Sequence, residues 1–400
     1  MHGLSVKAAS STVYSAAFDV EKNTYLAGNI TDALSNIDTF ALYNNSPSPI
    51  FKPKTFLAKL DSTGKCLFLK QSWNGSGGIS SVKLYRNSLY LYGVVDSCFR
   101  FDTATICNTS PNGSGFLAKT DIDGNILWVR NYFPVRSAFF TGISLDNKGN
   151  CYLSGWSDST VTISGYTLQK TAGSNRNTFL VKYDSTGVVI WAKQISCTGD
   201  MLALGINTDE DGKTYITGNF SGTAIFGNDT FTATNNGGMY VTRFDNAGNC
   251  LGAKTVAGAN SKSIAQDATG NAIVTGDINT GTVYFDAIPL NASGSSNFFL
   301  AKLSAITGPT STNRLLEDNR LTIYPNPNNQ NFTIVVPEAL VHGSTAHLSI
   351  LDNSGRVIKE EDTDISGNRV NTDIGTVQKG MYTVILSHGH KKFTGRVVVE

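Results

Sequence analysis

Short apolar runs separated by turn residues fill the first three quarters of the chain. The run at residues 56–61, FLAKLD, recurs with nearly the same polarity at residues 116–121, 179–184, 240–245 and 299–304. The five starts are 60, 63, 61 and 59 residues apart. A period this regular is the signature of a repeat architecture.

Each repeat contains two predicted hairpins. In the first four copies the run enters an Asp-x-x-Gly turn, in which Asp bonds the backbone and Gly takes the positive φ, and a second apolar strand follows. These turns open at Asp61, Asp121, Asp184 and Asp245. An earlier hairpin has its Asp nine residues before a Gly, as at Asp19 and Gly28. With a short ribbon between the hairpins, the pattern predicts four main strands and a ribbon in each unit.

Four-stranded antiparallel units repeated along a chain predict an all-β fold, a β-propeller. A β-solenoid is the alternative, although its repeats are usually shorter, about 20–30 residues. Five units are counted over residues 1–304. Residues 4–7 (LSVK) have the pattern of residues 251–254 and precede the next hairpin at a similar distance. We therefore expect this N-terminal strand to pair with residues 299–303 and close a five-bladed ring; an arc from a longer propeller is the competing interpretation.

A different pattern begins after the last repeat. Residues 305–319 are polar and are predicted to form a linker. Over residues 320–400, period-two strands recur at residues 331–336, 347–351, 381–386 and 392–399. About 80 residues with this pattern predict a small Ig-like β-sandwich.

Two resemblances rest on these motifs. The repeats resemble the SBBP-type propeller repeats of bacterial secreted proteins, because they share the F-x-A-K-x-D-x-x-G run. The C-terminal module resembles the type A C-terminal sorting domain of the type IX secretion system of Bacteroidota. The residues that carry this second resemblance are Tyr324, Pro325, Asn326, Pro327, Gly355, Gly380, Tyr382, Lys391 and Lys392.

The second resemblance implies export. In that family an outer-membrane translocon reads the domain, which is commonly cleaved, and the cargo is released or attached to surface lipopolysaccharide. Residues 320–400 are therefore expected to contact the translocon and its sortase, and the chain is expected to be extracellular or on the outer cell surface. No signal peptide is visible in residues 1–7, which lack a basic segment followed by an apolar one.

The charge balance argues against nucleic acid or an anionic membrane as a partner. Lys and Arg number 32 and Asp and Glu 31, so the formal net charge is +1, without the basic surplus of nucleic-acid-binding domains. The apolar runs are far shorter than the ~18 residues of a membrane-spanning helix. No CxxC pair occurs in the sequence. We expect the chain to be a monomer and to have no bound cofactor.

Histidine and carboxylate patterns predict no catalytic or metal site. The histidines are His2, His342, His347, His388 and His390. The repeats beyond His2 therefore lack the His that Ser-His-Asp catalysis and most zinc sites require. Residues 121–124 (DIDG) and 209–212 (DEDG) resemble the start of a calcium loop but lack its later bidentate Glu. Both are interpreted as hairpin turns.

Two tryptophans and two cysteines are the remaining candidates. Exposed aromatic residues mark interaction surfaces, so Trp73, beside a Gly-rich run, and Trp156, after a hairpin Gly, are predicted to bind ligand. A two-residue turn at residues 102–103 pairs Cys98 with Cys107 across a ribbon, with Cα atoms about 4.5 Å apart. That separation permits a disulfide. The cations that recur at one repeat position are interpreted as structural: Lys59, Lys119, Lys182, Arg243 and Lys302.

The sequence thus favours a secreted or surface-displayed β-propeller that binds a glycan or a protein and is not an enzyme. Two alternatives stay open, a glycoside hydrolase or lyase that uses carboxylates on a propeller face and a structural component of a surface layer. A deep polar pocket with convergent Asp or Glu would favour the enzyme. A flat face with exposed aromatic rings would favour binding.

Overall fold

The structure, a computed structural model, describes most of the chain. The described residues are 6–7, 11–31, 33–44, 54–73, 75–107, 114–134, 138–233, 237–278, 281–286, 288–292, 297–304, 306, 313–315, 321–336, 345–365, 369–388 and 391–400. Every regular element among them is a β-strand. The chain divides into two compact units, residues 1–316 and residues 317–400.

The strands of residues 1–316 follow the repeat. The first repeat and the segment before it contain β1 (Val6–Lys7), β2 (Ser11–Phe18), β3 (Thr24–Ile30), β4 (Leu34–Ile37), β5 (Phe40–Tyr43), β6 (Lys54–Leu60) and β7 (Cys66–Trp73). The second repeat contains β8 (Gly77–Tyr85), β9 (Ser88–Val95), β10 (Phe99–Phe101), β11 (Ala104–Ile106), β12 (Ser114–Asp121) and β13 (Ile126–Pro134). The third contains β14 (Ala138–Leu145), β15 (Cys151–Ser157), β16 (Val161–Ile163), β17 (Tyr166–Leu168), β18 (Asn177–Tyr183) and β19 (Val189–Cys197).

The fourth and fifth repeats complete this unit. The fourth contains β20 (Met201–Thr208), β21 (Thr214–Phe220), β22 (Thr223–Phe226), β23 (Asp229–Thr232), β24 (Gly238–Phe244) and β25 (Cys250–Ala257). The fifth contains β26 (Ala259–Gln266), β27 (Ala272–Ile278), β28 (Gly281–Phe285), β29 (Ile288–Ala292) and β30 (Asn297–Leu303). Within the segment predicted as a linker, β31 (Asn313–Leu315) pairs in parallel with β23.

Each repeat builds one antiparallel sheet whose strand order follows the chain. Sheets 1 to 4 are β2-β3-β6-β7, β8-β9-β12-β13, β14-β15-β18-β19 and β20-β21-β24-β25, and sheet 5 is β26-β27-β30. The predicted Asp-x-x-Gly turns join the third and fourth strands of sheets 1 to 4; in one of them the Gly187 N–H donates to the Asp184 carbonyl at 3.0 Å. A turn of the same kind, in which the Gly149 N–H donates to the Asp146 carbonyl at 3.1 Å, joins the first two strands of sheet 3. Repeated antiparallel sheets of this kind make the fold all-β and β-propeller-like.

The sheets pack on one another through their first strands. β8 lies against β2, β3 and β6 of sheet 1, and β26 lies against β20, β21 and β24 of sheet 4. Side chains of the preceding sheet bond the backbone of the incoming strand: the Ile79 N–H donates to Thr55 Oγ1 at 3.0 Å, and the Ser261 N–H donates to Asn219 Oδ1 at 2.8 Å. Every first strand also carries a β-bulge at the same place, so each bends in the same way.

A cation on the third strand lies over a tyrosine on the second strand in sheets 1 to 4. Lys182 Nζ is 5.0 Å from the centroid of the Tyr152 ring. The same contact, at 5.0–5.3 Å, joins Lys59 to Tyr25, Lys119 to Tyr90 and Arg243 to Tyr215. Cation–π contacts of this kind gain strength when water is excluded, and burial lowers the pKa of Lys182.

The same cation and a neighbouring tryptophan hold the turn of the next sheet. Lys182 Nζ and Trp191 Nε1 donate to the Asn246 carbonyl at 3.3 and 3.1 Å. Gly248 closes that turn with φ of +82°, and a Cβ there would lie 3.0 Å from the Trp191 ring. Glycine is therefore required for both its backbone conformation and its contact. Sheets 2 and 3 repeat the two bonds with Lys119, Trp128 and the Ser185 carbonyl.

Two of the ribbons pair with the outer strand of the sheet before them. β10 pairs with the end of β7, and β22 pairs with the end of β19. β1 pairs with the ribbon strand β4 in the same way, with Val6 opposite Ile37 and Lys7 opposite Asn36. The predicted pairing of residues 4–7 with residues 299–303 is therefore wrong for Val6 and Lys7, while residues 4–5 lie outside the described residues.

The prediction fails because Lys7 lies three residues further along the outer strand than the basic residue with which it was aligned. An outer strand pairs within its own sheet up to about its basic residue and then passes to the next ribbon. Lys7 lies opposite Asn36 as Trp73 lies opposite Arg100, so it occupies the position of Trp73 and not that of Lys70. In the part of the chain that the structure describes, β30 pairs only with β27.

Residues 317–400 form two antiparallel sheets around one core. Their strands are β32 (Thr322–Tyr324), β33 (Asn331–Val335), β34 (Thr345–Leu351), β35 (Val357–Asp364), β36 (Arg369–Asp373), β37 (Gly380–His388) and β38 (Lys391–Val399). The sheet orders are β32-β33-β36 and β35-β34-β37-β38. Phe332 and Ile334 from one sheet and Leu348, Val384 and Val397 from the other are buried together. Two sheets whose alternate residues meet in a common core are held mainly by burial of apolar surface.

Replacing Trp191 by Ala tests the contact between sheets 3 and 4. We expect a loss of about 3–5 kcal/mol in the free energy of unfolding, because the ring is buried and bonds the next turn. Urea unfolding followed by circular dichroism measures it. The control Trp73→Ala removes a ring that is 47% exposed and should cost less than about 1 kcal/mol. Equal losses in the two variants would contradict the holding role of Trp191.

Candidate functional site

The two ends of the repeated sheets differ in chemistry. At one end, the Asp-x-x-Gly turns join the strands. At the other end, which we call the ribbon end, the second and fourth strands finish and the ribbons leave. Trp73 is the last residue of β7, and Trp156 is the last but one of β15. Both predicted ligand-binding residues therefore lie at the ribbon end.

The carboxylates of the turns are already used by the backbone. Asp121 Oδ1 accepts the N–H groups of Asp123 and Asn125 at 3.0 and 2.8 Å, and Asn125 Nδ2 donates to Oδ2 at 2.7 Å. Although partial burial acts to raise it, these bonds hold the pKa of Asp121 below its ordinary value. Asp209 accepts two backbone N–H groups in the same way. Within the described ranges, no three His, Cys, Asp or Glu side chains are grouped to hold a metal ion.

Trp73 presents an open aromatic surface at the ribbon end. Its side chain is 47% exposed, and the strand register places Arg100 of β10 directly opposite it. The segment that follows is tied down: Lys54 Nζ donates to the Gly75 carbonyl at 2.8 Å, and Gly75 has φ of +55°. A Cβ at Gly75 would lie 1.9 Å from the Cys98 carbonyl oxygen. The exposed ring thus stands on a fixed backbone.

A disulfide closes the ribbon beside Trp73. The register of β10 and β11 is the predicted one, with Phe101 opposite Ala104 and Phe99 opposite Ile106. Cys98 and Cys107 extend the ribbon by one pair, with Sγ atoms 2.07 Å apart and Cα atoms 3.9 Å apart. A short closed loop limits the conformations of the ribbon in the unfolded chain.

Trp156 has less free surface than Trp73. The Phe139 ring lies 4.8 Å from it, and the Arg176 guanidinium lies 5.1 Å from its centroid. Arg176 is itself held by both carboxylate oxygens of Asp200. Hydrogen bonding to Asp200 raises the pKa of Arg176. The indole is therefore part of a stacked ion-pair cluster, and Trp73 is the better placed of the two candidates.

Sequence reasoning missed a shallow polar groove beside sheet 3. It lies between the ribbon strand β17 and the outer strand β19, where Gln194 Nε2 donates to the Gln169 carbonyl at 2.6 Å. Its lining includes Thr167, Gln169, Lys170, Thr171, Lys193 and Gln194. These residues come from two segments about 25 positions apart, and no local motif joins them.

The motif at residues 324–328 fastens the last strand. Asn326 Nδ2 donates to the Arg396 carbonyl at 2.9 Å, and the Val398 N–H donates to Asn326 Oδ1 at 2.8 Å. The Asn328 N–H donates to the Val398 carbonyl at 2.9 Å, and its carbonyl accepts the Glu400 N–H at 3.0 Å. An asparagine side chain here takes the place of a neighbouring strand, so part of the outer edge of β38 is covered.

The other motif residues stabilise turns. Gly355 has φ of +84°, and its N–H donates to the Asp352 carbonyl at 3.0 Å. The Tyr382 hydroxyl donates to the Gln378 carbonyl at 2.6 Å, just before Gly380 opens β37. Lys391 and Lys392 open β38, and their side chains lie outside the described part of the structure.

Residues 322–400 match the sequence family described as "Secretion system C-terminal sorting domain". This module is a type IX C-terminal sorting domain. It implies export out of the cell and an interaction with the type IX secretion machinery. The motif residues Tyr324, Pro325, Asn326, Pro327, Gly355, Gly380 and Tyr382 lie within the matched range.

A histidine on the inner strand β34 of the sorting domain lies between two carboxylates of the edge strand β35. His347 Nδ1 lies 2.8 Å from Asp362 Oδ1, and His347 Nε2 lies 3.0 Å from Glu360 Oε1. Hydrogen bonds to Glu360 and Asp362 raise the pKa of His347, and the bond to His347 lowers that of Glu360. The cluster is exposed, so water and salt screen its charges.

One curated relative matches part of the chain. It is an uncharacterised WD repeat-containing protein of Acanthamoeba polyphaga mimivirus, 26% identical over 121 residues. The match covers 28% of this chain and 9% of that protein, so the chain spans less than a tenth of the length of this relative.

Among solved structures, the chain is similar to the Dos1 propeller, with a TM-score of 0.35, 11% identity and coverage of 91% of this chain and 93% of that one. It is also similar to a mutant of the Synechocystis apocarotenoid oxygenase, with a TM-score of 0.34, 10% identity and coverage of 72% and 60%. A puromycin hydrolase matches at a TM-score of 0.34 and 12% identity, over 97% of this chain and 60% of that one. Likenesses this low assign no activity to the chain.

The structure shows no membrane-spanning helix among its described residues, because none there has the necessary length and apolar character.

Thiol counting tests the ribbon disulfide. Of the six cysteines, Cys66, Cys151, Cys197 and Cys250 are free, so denatured protein purified without reductant should react at four thiols and reduced protein at six. The double variant Cys98→Ser/Cys107→Ser should react at four in both states. We expect it to lose about 2–3 kcal/mol of unfolding free energy, since the closed loop is short. Six reactive thiols without reductant would show that the bond is absent.

Proposed function

We propose that this chain is a secreted or surface-displayed binding protein of Bacteroidota that recognises a glycan or a protein through the ribbon end of its repeated sheets. The observation that carries the proposal is the exposed ring of Trp73 beside Arg100, on a ribbon closed by a disulfide. Trp and Arg are the residue types that contribute most to binding energy. A ring held on a fixed backbone also loses little conformational entropy on binding.

The proposal assigns a role to each part of the chain. Residues 1–304 supply five propeller blades of SBBP-type repeats, which present the binding surface. Residues 305–319 connect it to the sorting domain, residues 320–400, an Ig-like sandwich that the type IX translocon and its sortase read. Lys391 and Lys392 belong to the surface that the machinery reads.

The pairing of three acidic residues at the ribbon end supports binding over catalysis. Asp200 is paired with Arg176, Asp277 Oδ1 lies 3.2 Å from Lys262 Nζ, and Asp96 accepts the hydroxyl of Ser76 at 3.0 Å. A glycoside hydrolase needs two carboxyl groups free to exchange protons or attack the sugar. Carboxylates held by cations and hydroxyl groups serve the scaffold.

Deleting residues 320–400 tests export. In a host with a type IX system, the truncated chain should remain in the periplasm, because the module that the machinery reads is missing. Cell fractionation with immunoblotting measures its location. The full-length variant Trp73→Ala is the matched control and should reach the surface or the medium. Normal delivery of the truncated chain would exclude the proposed route.

Truncation of Trp73 tests the binding surface. A glycan array and a capture experiment with surface proteins of the host, both probed with the wild-type chain, identify the class of ligand. Trp73→Ala and Arg100→Ala should each weaken binding about 10- to 100-fold, the usual loss at the centre of an interface. Tyr166→Ala removes an exposed ring from a different ribbon and should leave affinity unchanged. Unaltered affinity in Trp73→Ala would place the ligand elsewhere.

A further inference from the structure

The third strand of sheet 5 has a bare side that the other sheets lack. β6, β18 and β24 are buried along their whole length, whereas β30 alternates between covered and open residues. Phe298 is 92% exposed and Leu300 69%. The residues at the repeat position of Leu300 are fully buried in the other four sheets: Leu57, Leu117, Leu180 and Val241.

The first strand of sheet 1, β2, also has an exposed apolar face. Val13, Ala16 and Phe18 of β2 are all exposed, Phe18 by 67%. The register places Ala16 opposite Leu26 as it places Val82 opposite Leu91. Residues at that position in later sheets are covered by the preceding sheet, as Val82, Ile143 and Ile264 show.

These two bare faces are the halves of an interface that recurs between successive sheets. At three of the four junctions the first strand of one sheet lies across three strands of the sheet before it. At the first junction, Leu57 of sheet 1 shares an apolar cluster with Ile79 and Val82 of sheet 2. Sheet 5 offers Leu300 at the position of Leu57, and sheet 1 offers Val13 and Ala16 at the positions of Ile79 and Val82.

The lysine that makes the polar contact of this interface has a different partner in sheet 5. At two junctions a lysine donates to the carbonyl of the residue that follows the turn Asp of the next sheet, as Lys182 does to Asn246. Sheet 5 has Lys302 at that position; it lies opposite Ile273 rather than a tyrosine, and its exposed side chain pairs with Asp267 of the same sheet, Nζ to Oδ2 at 2.7 Å. The residue after the turn Asp of sheet 1 is Ser62, which is exposed.

We propose that the occupant of sheet 5 is sheet 1 of a second copy of this chain, docked so that β2 repeats the packing of β26 on sheet 4. The contact joins different faces of the two copies, so it is heterologous, and it assembles the chains head to tail. The apolar residues on both faces supply the driving force, since burying them removes exposed surface of the kind that marks an interface. The expected monomer is thereby replaced by a concentration-dependent assembly.

Sedimentation velocity of the full chain over about a hundredfold range of concentration tests the proposal. Species larger than the 42.8 kDa chain should increase with concentration. Leu300→Glu spoils only the sheet 5 face and Ala16→Glu only the sheet 1 face, and each alone should weaken association at least about tenfold, because a buried unpaired charge is costly. Mixed together, the two variants should form a one-to-one dimer, since each keeps the face that the other lacks.

Leu127→Glu is the matched control. It places a charge at another exposed apolar residue, on the outer strand β13, and should leave association unchanged. Circular dichroism verifies that all variants are folded. A wild-type chain that stays monomeric at every concentration would overturn the proposal. This is the result expected if the two faces close on each other within one chain. Association that survives both single substitutions, or that mixing does not restore, would overturn it equally.

Discussion

One recurring contact ties the repeated sheets at two of their junctions. The cation on the third strand lies over a tyrosine of its own sheet and, in sheets 2 and 3, also reaches a backbone carbonyl in the turn of the next. Removing a charge from water is costly unless hydrogen bonds or an aromatic face replace the water. Here the cation's own sheet supplies the aromatic face, and the next sheet supplies the hydrogen bond. The cation is therefore stabilised at a junction and fixes the position of the next turn.

This arrangement separates the contacts that stabilise the sheets from the surface that we propose to bind a ligand. The turn end carries the aspartates, glycines, tryptophans and cations that tie each sheet to its neighbour. The ribbon end carries exposed groups such as Trp73 and Arg100, whose replacement leaves those ties intact. Because each repeat contacts mainly its neighbours, stability accumulates junction by junction, as in other repeat proteins. The ribbons are then free to differ between repeats.

Local chemistry explains which features the sequence predicts. The ribbon register follows from the two-residue turn after Phe101, and the hairpins follow from Asp and Gly three positions apart, because both depend on neighbouring residues. The partner of Lys7 depends on where an outer strand leaves its own sheet, a property of the assembled sheets. In the same way Trp73 and Trp156 look alike in sequence, and only tertiary packing covers one ring with Phe139 and Arg176.

The fastening of β38 also bears on the order of folding. The bonds from Asn326 and Asn328 reach residues about seventy positions later in the chain, and contacts of such long separation form slowly, because the loop between them must first close. The sorting domain therefore acquires its final shape only after its last strand has left the ribosome. A prematurely terminated product lacks the strand that Asn326 caps, so its sorting signal is incomplete.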